Sequence, residues 1–195
     1  TLRTMSVMKN ILAEAEIEEE IPRDFAIYDL VQFLNGVTLH DNPSIEFPNE
    51  SNLTIREGKD RKTKYFFADP SVIVSPPEKS IALPTEDVCF NLDSTQLQSL
   101  LKASAVYQLP DLVAVGEAGV VKLVVRDKKN DTSNEYSINV GETDQEFNFN
   151  FKVENIKILP GTYEVVISQK LLARFVNNNF NLTYYIALEP DSTFG

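Results

Sequence analysis

The stretch DFAIYDLVQFLNG, residues 24–36, provides the first fixed point of the fold. Its aliphatic residues recur at the i, i+3, i+4 and i+7 spacing of one helical face: Ile27, Leu30, Val31 and Leu34. Asp24 stands where an N-cap is expected, and Gly36 stands at a C-terminal stop. Three short strand patterns follow at residues 44–47, 52–57 and 63–67. We therefore predict a helix over residues 24–36, followed by an antiparallel meander.

The same order of elements begins again at residue 88. Val88–Leu92 has a strand pattern, and Asp93 or Ser94 can cap a second helix over residues 94–106. Its predicted inner stripe is Leu97, Leu100, Leu101, Ser104 and Ala105, and its predicted outer side is Thr95, Gln98, Ser99 and Lys102. Further strands are predicted near residues 112–116, 120–127, 135–140 and 146–151, then a short third helix over 153–159, then strands at 162–168, 172–175 and 184–189. The repeat favours two similar domains.

Two other segments set the domain boundaries. Between residues 5 and 17 the chain is β-rich, and alternation of Ala13 and Ala15 with Glu14 and Glu16 predicts a half-buried strand with an acidic face toward water. Four prolines surround Val72-Ile73-Val74, which predicts an extended connector over residues 70–84. We therefore expect domain 1 at residues 1–69 and domain 2 at residues 85–195.

Composition narrows the class of protein. The 195 residues carry a net charge of -11, and 43% are hydrophobic, enough to build a proper interior. No run reaches the roughly 18 apolar residues of a membrane span, and Thr1 opens no signal-peptide pattern. A soluble protein of a reducing compartment is expected. The absence of an initiator Met suggests that the natural start precedes Thr1.

Catalytic chemistry has few candidates. His40 and Cys89 are the only residues of their types, and Cys89 lies in an apolar strand pattern typical of the core. The seven glycines form neither a dinucleotide fingerprint nor a Walker A loop. The acidic run at residues 14–20 lacks the glycine that shapes a calcium loop, so a solvated strand face is the favoured interpretation. We expect no enzyme, no metal and no cofactor.

Four strings in order along the chain resemble the sliding clamps of T-even-type bacteriophages, which are DNA polymerase processivity factors. These are FAIYDL at 25–30 with Phe33-Leu34, ADPS at 68–71, LPGTY at 159–163 and YIALEPDST at 185–193. The resemblance implies an α+β DNA clamp fold with two similar domains of antiparallel sheets and helices on the inner face. It also implies that the first strand and helix of domain 1 are missing from this chain.

The same resemblance implies a homotrimeric ring around duplex DNA. A ring that slides needs a locally basic inner wall that does not read bases, so a negative total charge is compatible with this function. Lys102 and Lys157 occupy positions where the family has basic residues, and Lys152 is expected to join them as a DNA-facing residue. Where the family has a second basic residue on the second helix, this chain has Ala105.

Partners follow from the family as well. They are the C-terminal peptide of the phage DNA polymerase, a clamp loader and further copies of the chain, in the cytoplasm of the infected bacterial host. The resemblance also implies a role as a platform for late transcription. We expect the peptide in an apolar cleft with Val72, Ile73 and Val74 on one wall and Ala187, Leu188 and Pro190 on the other.

Two other classes of protein remain open from the residues alone. One is a non-enzymatic β-rich phage structural or assembly protein, which would explain the acidity and the lack of catalytic residues. The other is an enzyme with a carboxylate-only site, such as a glycosidase. Helices with polar outer stripes in both halves favour the clamp over both.

Overall fold

A computed structural model describes residues 1–79 and 81–195. Its helices are α1 (Leu30–Val37) and α2 (Ser94–Tyr107), with 3₁₀ turns at Pro70–Val72 and Val153–Asn155. Its strands are β1 (Leu2–Met5), β2 (Ile11–Ala15), β3 (Ser44–Glu46), β4 (Asn52–Glu57), β5 (Arg61–Phe66), β6 (Val88–Leu92), β7 (Asp111–Glu117), β8 (Val120–Arg126), β9 (Tyr136–Glu142), β10 (Phe147–Lys152), β11 (Tyr163–Ser168), β12 (Leu172–Asn177), β13 (Leu182–Ala187) and β14 (Thr193–Phe194).

The chain forms two compact units. The larger unit comprises Thr1–Ile17 and Pro76–Gly195, and the smaller unit comprises Glu18–Ser75. These limits differ from the expected boundaries at residues 69 and 85, because β2 pairs antiparallel with β13 and so attaches the N-terminal hairpin to the last sheet of the chain.

The larger unit is built from two antiparallel sheets with α2 packed on one of them. One sheet has the order β1-β2-β13-β12-β11-β6, and the other has the order β14-β10-β7-β8-β9. Their buried apolar side chains form one continuous core. Helix α2 contacts β8 and β9. The β7–β8 hairpin turns at Ala118 and Gly119, both with positive φ, as a tight two-residue turn requires.

Helix α2 confirms the expected strand–cap–helix order. Asp93 accepts a hydrogen bond from the Gln96 backbone N–H, and the Gln96 side chain accepts one from the Asp93 N–H, so both close a capping box. The buried side chains are Leu97, Leu100, Ala103 and Ser104. The expected inner position of Ala105 is wrong, because Ala105 lies about 100° around the helix from Ser104 and is exposed.

The smaller unit packs α1 against the sheet β3-β4-β5. The helix begins later than expected: Asp29, not Asp24, accepts the capping hydrogen bond, from the Gln32 N–H at 2.9 Å. Phe33 is the buried residue of α1, and it joins Leu53 and Ile55 in the core. Leu30, Val31 and Leu34, expected to face inward, are 54%, 69% and 51% exposed.

Aromatic packing explains this rotation of α1. The rings of Phe33 and Tyr65 lie 5.0 Å apart, and Phe25 contacts the rings of Phe33, Phe47 and Phe67. These large rings bury more apolar area than the aliphatic stripe, so they determine which face of the helix turns inward. A spacing rule that counts only aliphatic residues misses this preference.

Two other expectations are corrected. The β-rich N-terminal segment is a hairpin in which Ala13 and Ala15 pack against the core as predicted, but Glu14 on the opposite face lies 3.0 Å from Arg3 and is largely shielded from water. The predicted helix at 153–159 is a single 3₁₀ turn, Val153–Asn155. Branched side chains at Val153, Ile156 and Ile158 disfavour helix, and Pro160 leaves no room to extend one.

Candidate nucleic-acid interface

The outward face of α2 has the chemistry expected of a surface that contacts phosphates without reading bases. Thr95, Gln98, Lys102 and Ala105 are exposed on it. The helix contains no Asp or Glu, because the one carboxylate at its start, Asp93, is the N-cap and accepts backbone hydrogen bonds. Lys102 is therefore the only formal charge on the helix, and its field is not cancelled by a neighbour on α2.

Lys157 is also exposed, but it lies in an irregular segment and not on a helix. This segment begins at the 3₁₀ turn, where the Val153 N–H donates to the carbonyl of Pro110 at 2.9 Å. Pro110 belongs to the short connection that follows α2. The backbone hydrogen bond thus ties the start of the Lys157 segment to the C-terminal end of α2.

Lys152 has a different environment from the one predicted for it. Its Nζ lies 2.5 Å from Oδ1 of Asp111, whose side chain is 1% exposed. The hydrogen bond to Asp111 is the main cause that raises the pKa of Lys152, and Asp111, Glu189 and Asp191 add favourable charge interactions. The positive charge of Lys152 is therefore balanced within the protein.

A polar network surrounds this ion pair, and no sequence pattern predicts it. Lys128 donates its backbone N–H to Asp111 and its Nζ to Asp191 at 2.8 Å. The Asn150 amide also donates to the Asp191 carboxylate, at 3.2 Å. These hydrogen bonds, chiefly that from Lys128, lower the pKa of Asp191. The network holds the C-terminal segment against β10.

The residues expected to hold a partner peptide fall in both units. Val72, Ile73 and Val74 belong to the smaller unit, where Val72 is 57% and Val74 is 40% exposed. In the larger unit Pro190 is exposed and Ala187 is half-buried, whereas Leu188 is buried in the core. Leu188 therefore does not offer its side chain to a peptide.

The structure adds a cleft that sequence reasoning missed. A cavity of about 340 Å³ lies in the smaller unit and is lined by Tyr28, Asp29, Gln32 and residues 64–68. The aromatic residues Tyr28 and Phe66 at this cleft are 78% and 62% exposed. The available sequence signal is the aromatic string Tyr65-Phe66-Phe67, in which a strand pattern alone does not show that Phe66 is exposed.

The structure shows the environments of His40 and Cys89, the two residues considered for catalysis. His40 is buried, with Nε2 3.0 Å from the Thr63 hydroxyl and Nδ1 3.8 Å from Glu57. Cys89 is exposed, which corrects its expected core position, and partial burial together with Glu164 and Glu86 raises its pKa.

No group of three metal-ligating side chains occurs among residues 1–79 and 81–195. None of the described helices has the length and apolar character that crossing a bilayer demands.

Comparisons with family models and with known proteins agree on one family of proteins. Residues 1–75 match the family model described as DNA polymerase processivity factor, and residues 89–190 match that of the gp45 sliding clamp, C terminal. The sliding clamp of Vibrio phage KVP40 is 33% identical over 195 residues, covering 96% of this chain and 86% of the relative. Those of Escherichia phage RB69 and Enterobacteria phage T4 are 33% and 32% identical over 202 residues, covering 98% of this chain and 86% of each relative.

Solved structures agree on the fold. A DnaN sliding clamp from Pseudomonas aeruginosa, crystallised with griselimycin, superposes with a TM-score of 0.69 at 14% identity, over 96% of this chain and 54% of that one. The PCNA2–PCNA3 complex from Sulfolobus tokodaii gives a TM-score of 0.63 at 12% identity, over 96% and 85% of the two chains. At these identities the likeness establishes the architecture, an α+β arrangement of antiparallel sheets and helices.

Proposed function

Because the chain belongs to the phage sliding clamp family, we propose that it forms a homotrimeric ring that encircles duplex DNA and tethers the replicative DNA polymerase. The observation that carries this proposal is the outward face of α2, which presents Lys102 beside Thr95, Gln98 and Ala105 and carries no carboxylate. Such a face attracts phosphates diffusely and offers little for base recognition, as sliding requires.

Lys102 and Lys157 are the DNA-facing residues of this proposal. Both are exposed, and the hydrogen bond from Val153 to Pro110 links their two segments. Lys152 is left out because Asp111 balances its charge. The net charge of -11 then resides on other surfaces, where it repels DNA and keeps the duplex away from the outside of the ring.

Ring closure is proposed to join sheet edges of neighbouring copies head to tail. Among the described residues, the longest strands at the edge of a sheet are β9, with seven residues, and β5, with six. Unpaired edges of this length invite pairing with another strand. The antiparallel pair β2·β13 shows that strands from distant parts of this chain join edge to edge in one sheet.

The domain limits remain part of the proposal: residues 1–69 and 85–195 as two clamp domains joined by residues 70–84. Support comes from the family matches, which leave residues 76–88 between them. On this view the N-terminal hairpin belongs to domain 1 but completes a sheet of the larger unit.

Partner binding is proposed at the exposed apolar residues of the connector. Val72 and Val74, with Ile73 between them, offer side chains to the C-terminal peptide of the phage polymerase, and Ala187 and Pro190 are the other candidate contacts. A clamp loader is a further proposed partner, and a platform for late transcription is a further proposed role, both in the cytoplasm of the infected bacterial host.

The protein is proposed to act without catalysis. A phage structural or assembly role is disfavoured by 33% identity to a sliding clamp over 96% of the chain.

Primer extension with the cognate polymerase and loader tests this function. The expected result is a large increase in product length on a primed circular template when the protein is added. A polymerase variant without its C-terminal peptide is expected to lose that increase, and so controls for nonspecific stimulation. Product lengths unchanged by the protein would contradict the proposal.

A further inference from the structure

The sheet of the smaller unit has one face toward α1 and one face toward solvent. The ring of Tyr65 on β5 lies 5.0 Å from the ring of Phe33 on α1, so Tyr65 points to the helix side. Because side chains alternate along a strand, Lys62, Lys64 and Phe66 point to the other side of the sheet. All three are exposed. We call the surface that they form, together with Arg56 of β4, the open face.

Positive charge is concentrated on the open face. Arg56 lies directly opposite Lys62 in the register of β4 and β5, and Lys64 follows two residues later. Like charges directly opposite each other on neighbouring strands repel. Glu46 lies 3.4 Å from Arg56 and balances one of the three charges. In the part of the chain that the structure describes, neither Lys62 nor Lys64 has a carboxylate partner. The open face of this acidic chain therefore attracts an anion.

An exposed aromatic ring continues the row of lysines. Phe66 is 62% exposed, and Nζ of Lys64 lies 4.6 Å from the centroid of its ring. The ring attracts an ammonium group in this position, so the charge and the ring are held side by side. Lys62, Lys64 and Phe66 follow one another at intervals of about 6.8 Å along the strand. The open face thus offers two cations and one stacking surface in a single row.

This combination fits single-stranded DNA better than other anions. Positive side chains follow the phosphates of a single strand, and an aromatic ring stacks on unpaired bases without reading their sequence. A duplex keeps its bases stacked inside the helix, so it would leave the Phe66 ring without a partner. The carboxylates of an acidic peptide would pair with the lysines and likewise leave the ring unused.

We propose that the open face binds single-stranded DNA, with Lys62 and Lys64 on phosphates and Phe66 stacked on a base. The site is a second DNA contact, carried by a different unit from the outward face of α2. Its side chains stand roughly perpendicular to the sheet, so it remains accessible when backbone groups at the edge of β5 pair in the proposed ring. The choice of DNA over RNA rests on the proposed function, because replication exposes single-stranded DNA.

Binding to circular oligothymidylate tests the two lysines. A fluorescein-labelled circle has no ends to thread through a closed ring and no base pairs, and no loader is added. Fluorescence anisotropy is expected to show binding by the wild type at low salt. Lys62→Ala with Lys64→Ala should weaken it about tenfold or more, and should reduce the slope of log affinity against log salt by roughly 0.7 for each lost phosphate contact.

A matched pair of substitutions controls for the loss of charge. Lys129→Ala with Lys170→Ala removes two exposed lysines of the larger unit and should leave the affinity and the salt slope unchanged. Unchanged binding by the Lys62 and Lys64 variant, or an equal loss in this control, would overturn the proposal.

The aromatic contact is tested separately. Phe66→Leu keeps an exposed apolar side chain but removes the aromatic face, so binding should weaken about fivefold or more, as the loss of one base stack predicts. Phe180→Leu, at a 58% exposed position between β12 and β13, is the control and should bind like the wild type. Equal affinities for Phe66→Leu and the wild type would overturn the stacking contact.

Competition distinguishes other occupants of the open face. Linear oligothymidylate should displace the circle, whereas duplex DNA or oligoglutamate should require about tenfold higher concentrations or more. Displacement by oligoglutamate as readily as by oligothymidylate, or tighter binding of oligouridylate, would overturn the proposal in favour of an acidic peptide or RNA. Loss of binding in Lys102→Glu with Lys157→Glu alone would assign the strand to α2 and also overturn it. A wild type that supports processive synthesis but does not bind the circle would overturn this inference and leave the proposed function standing.

Discussion

The ammonium of Lys152 lies 2.5 Å from Oδ1 of Asp111, a carboxylate that is 1% exposed at the start of β7. The other oxygen of Asp111 accepts the backbone N–H of Lys128 at 3.1 Å. Removing a partner from a buried charged group is destabilising, because it leaves a charge or a polar group without compensation. Lys152 thus contributes to folding, whereas the exposed Lys102 is the residue that we propose for contact with DNA.

Replacing Asp111 with Ala should be strongly destabilising. The change leaves the partly exposed Lys152 without its partner and the Lys128 backbone N–H without its acceptor, so we expect the free energy of unfolding to fall by about 3 kcal/mol. Urea titration followed by circular dichroism measures it. Asp144→Ala, at an exposed position, is the control and should change stability by less than about 0.5 kcal/mol. A loss at Asp111 no larger than at Asp144 would contradict the structural role of the ion pair.

Acid should weaken the attachment of the C-terminal segment. The pKa of Asp191 is held below its ordinary value of 3.8 by the Lys128 hydrogen bond. A depressed folded-state pKa adds stability that is fully present above the unfolded pKa and is lost as pH falls through the folded one. Stability of the wild type should therefore decline below pH about 4, and less steeply for Asp191→Asn. Thermal melts at a series of pH values check this, and parallel curves for the two proteins would count against it.

Reversing the charge of Lys102 and Lys157 should impair contact with DNA without affecting the fold. We expect Lys102→Glu with Lys157→Glu to shorten products of processive synthesis and to flatten their salt dependence, since fewer counterions are released. Stability should stay within about 0.5 kcal/mol, because both side chains are exposed. Two lysine reversals elsewhere, at the exposed Lys129 and Lys59, control for total charge. Products of equal length from both double variants would reject the assignment.

Two glycines should respond in opposite ways to alanine. A Cβ on Gly116 would lie 2.6 Å from the Gln145 carbonyl oxygen and closer still to the Phe147 ring, whereas one on Gly36 meets nothing within 4 Å. Gly116→Ala should destabilise by about 1–3 kcal/mol through overpacking. Gly36→Ala, within α1, should stabilise by about 0.5–1 kcal/mol. Chemical denaturation compares them, and effects of the same sign would contradict the described packing.

Local signals predicted α2 well and α1 only in part. Asp93 and Gln96 lie three residues apart and close a capping box within the helix itself, so the sequence contains the whole signal. For α1 both Asp24 and Asp29 could serve as the cap, and the choice depends on the packing of Phe33 against Tyr65 on β5. The spacing of apolar residues within one helix cannot predict a contact of this kind between distant segments of the chain.

The sequence likewise predicts one feature of the candidate site, the exposure of Lys102, and does not predict the role of Lys152 or the aromatic cleft. Exposure of Lys102 follows from its place on an amphipathic helix, so the sequence predicts it. The role of Lys152 depends on Asp111, 41 residues earlier in the chain, which becomes a neighbour only when β7 pairs with β10. The aromatic cleft likewise requires α1 and β5 to be packed together before it exists.

Retention on DNA of different topology tests most directly whether the protein encircles the duplex. The protein is loaded onto nicked circular DNA by the cognate loader, the complex is separated from free protein by gel filtration, and half of it is then cut once with a restriction enzyme. A ring that slides should stay on the circle and leave the cut, linear DNA at the ends. Equal retention on circular and linear DNA, or no retention on either, would contradict the account.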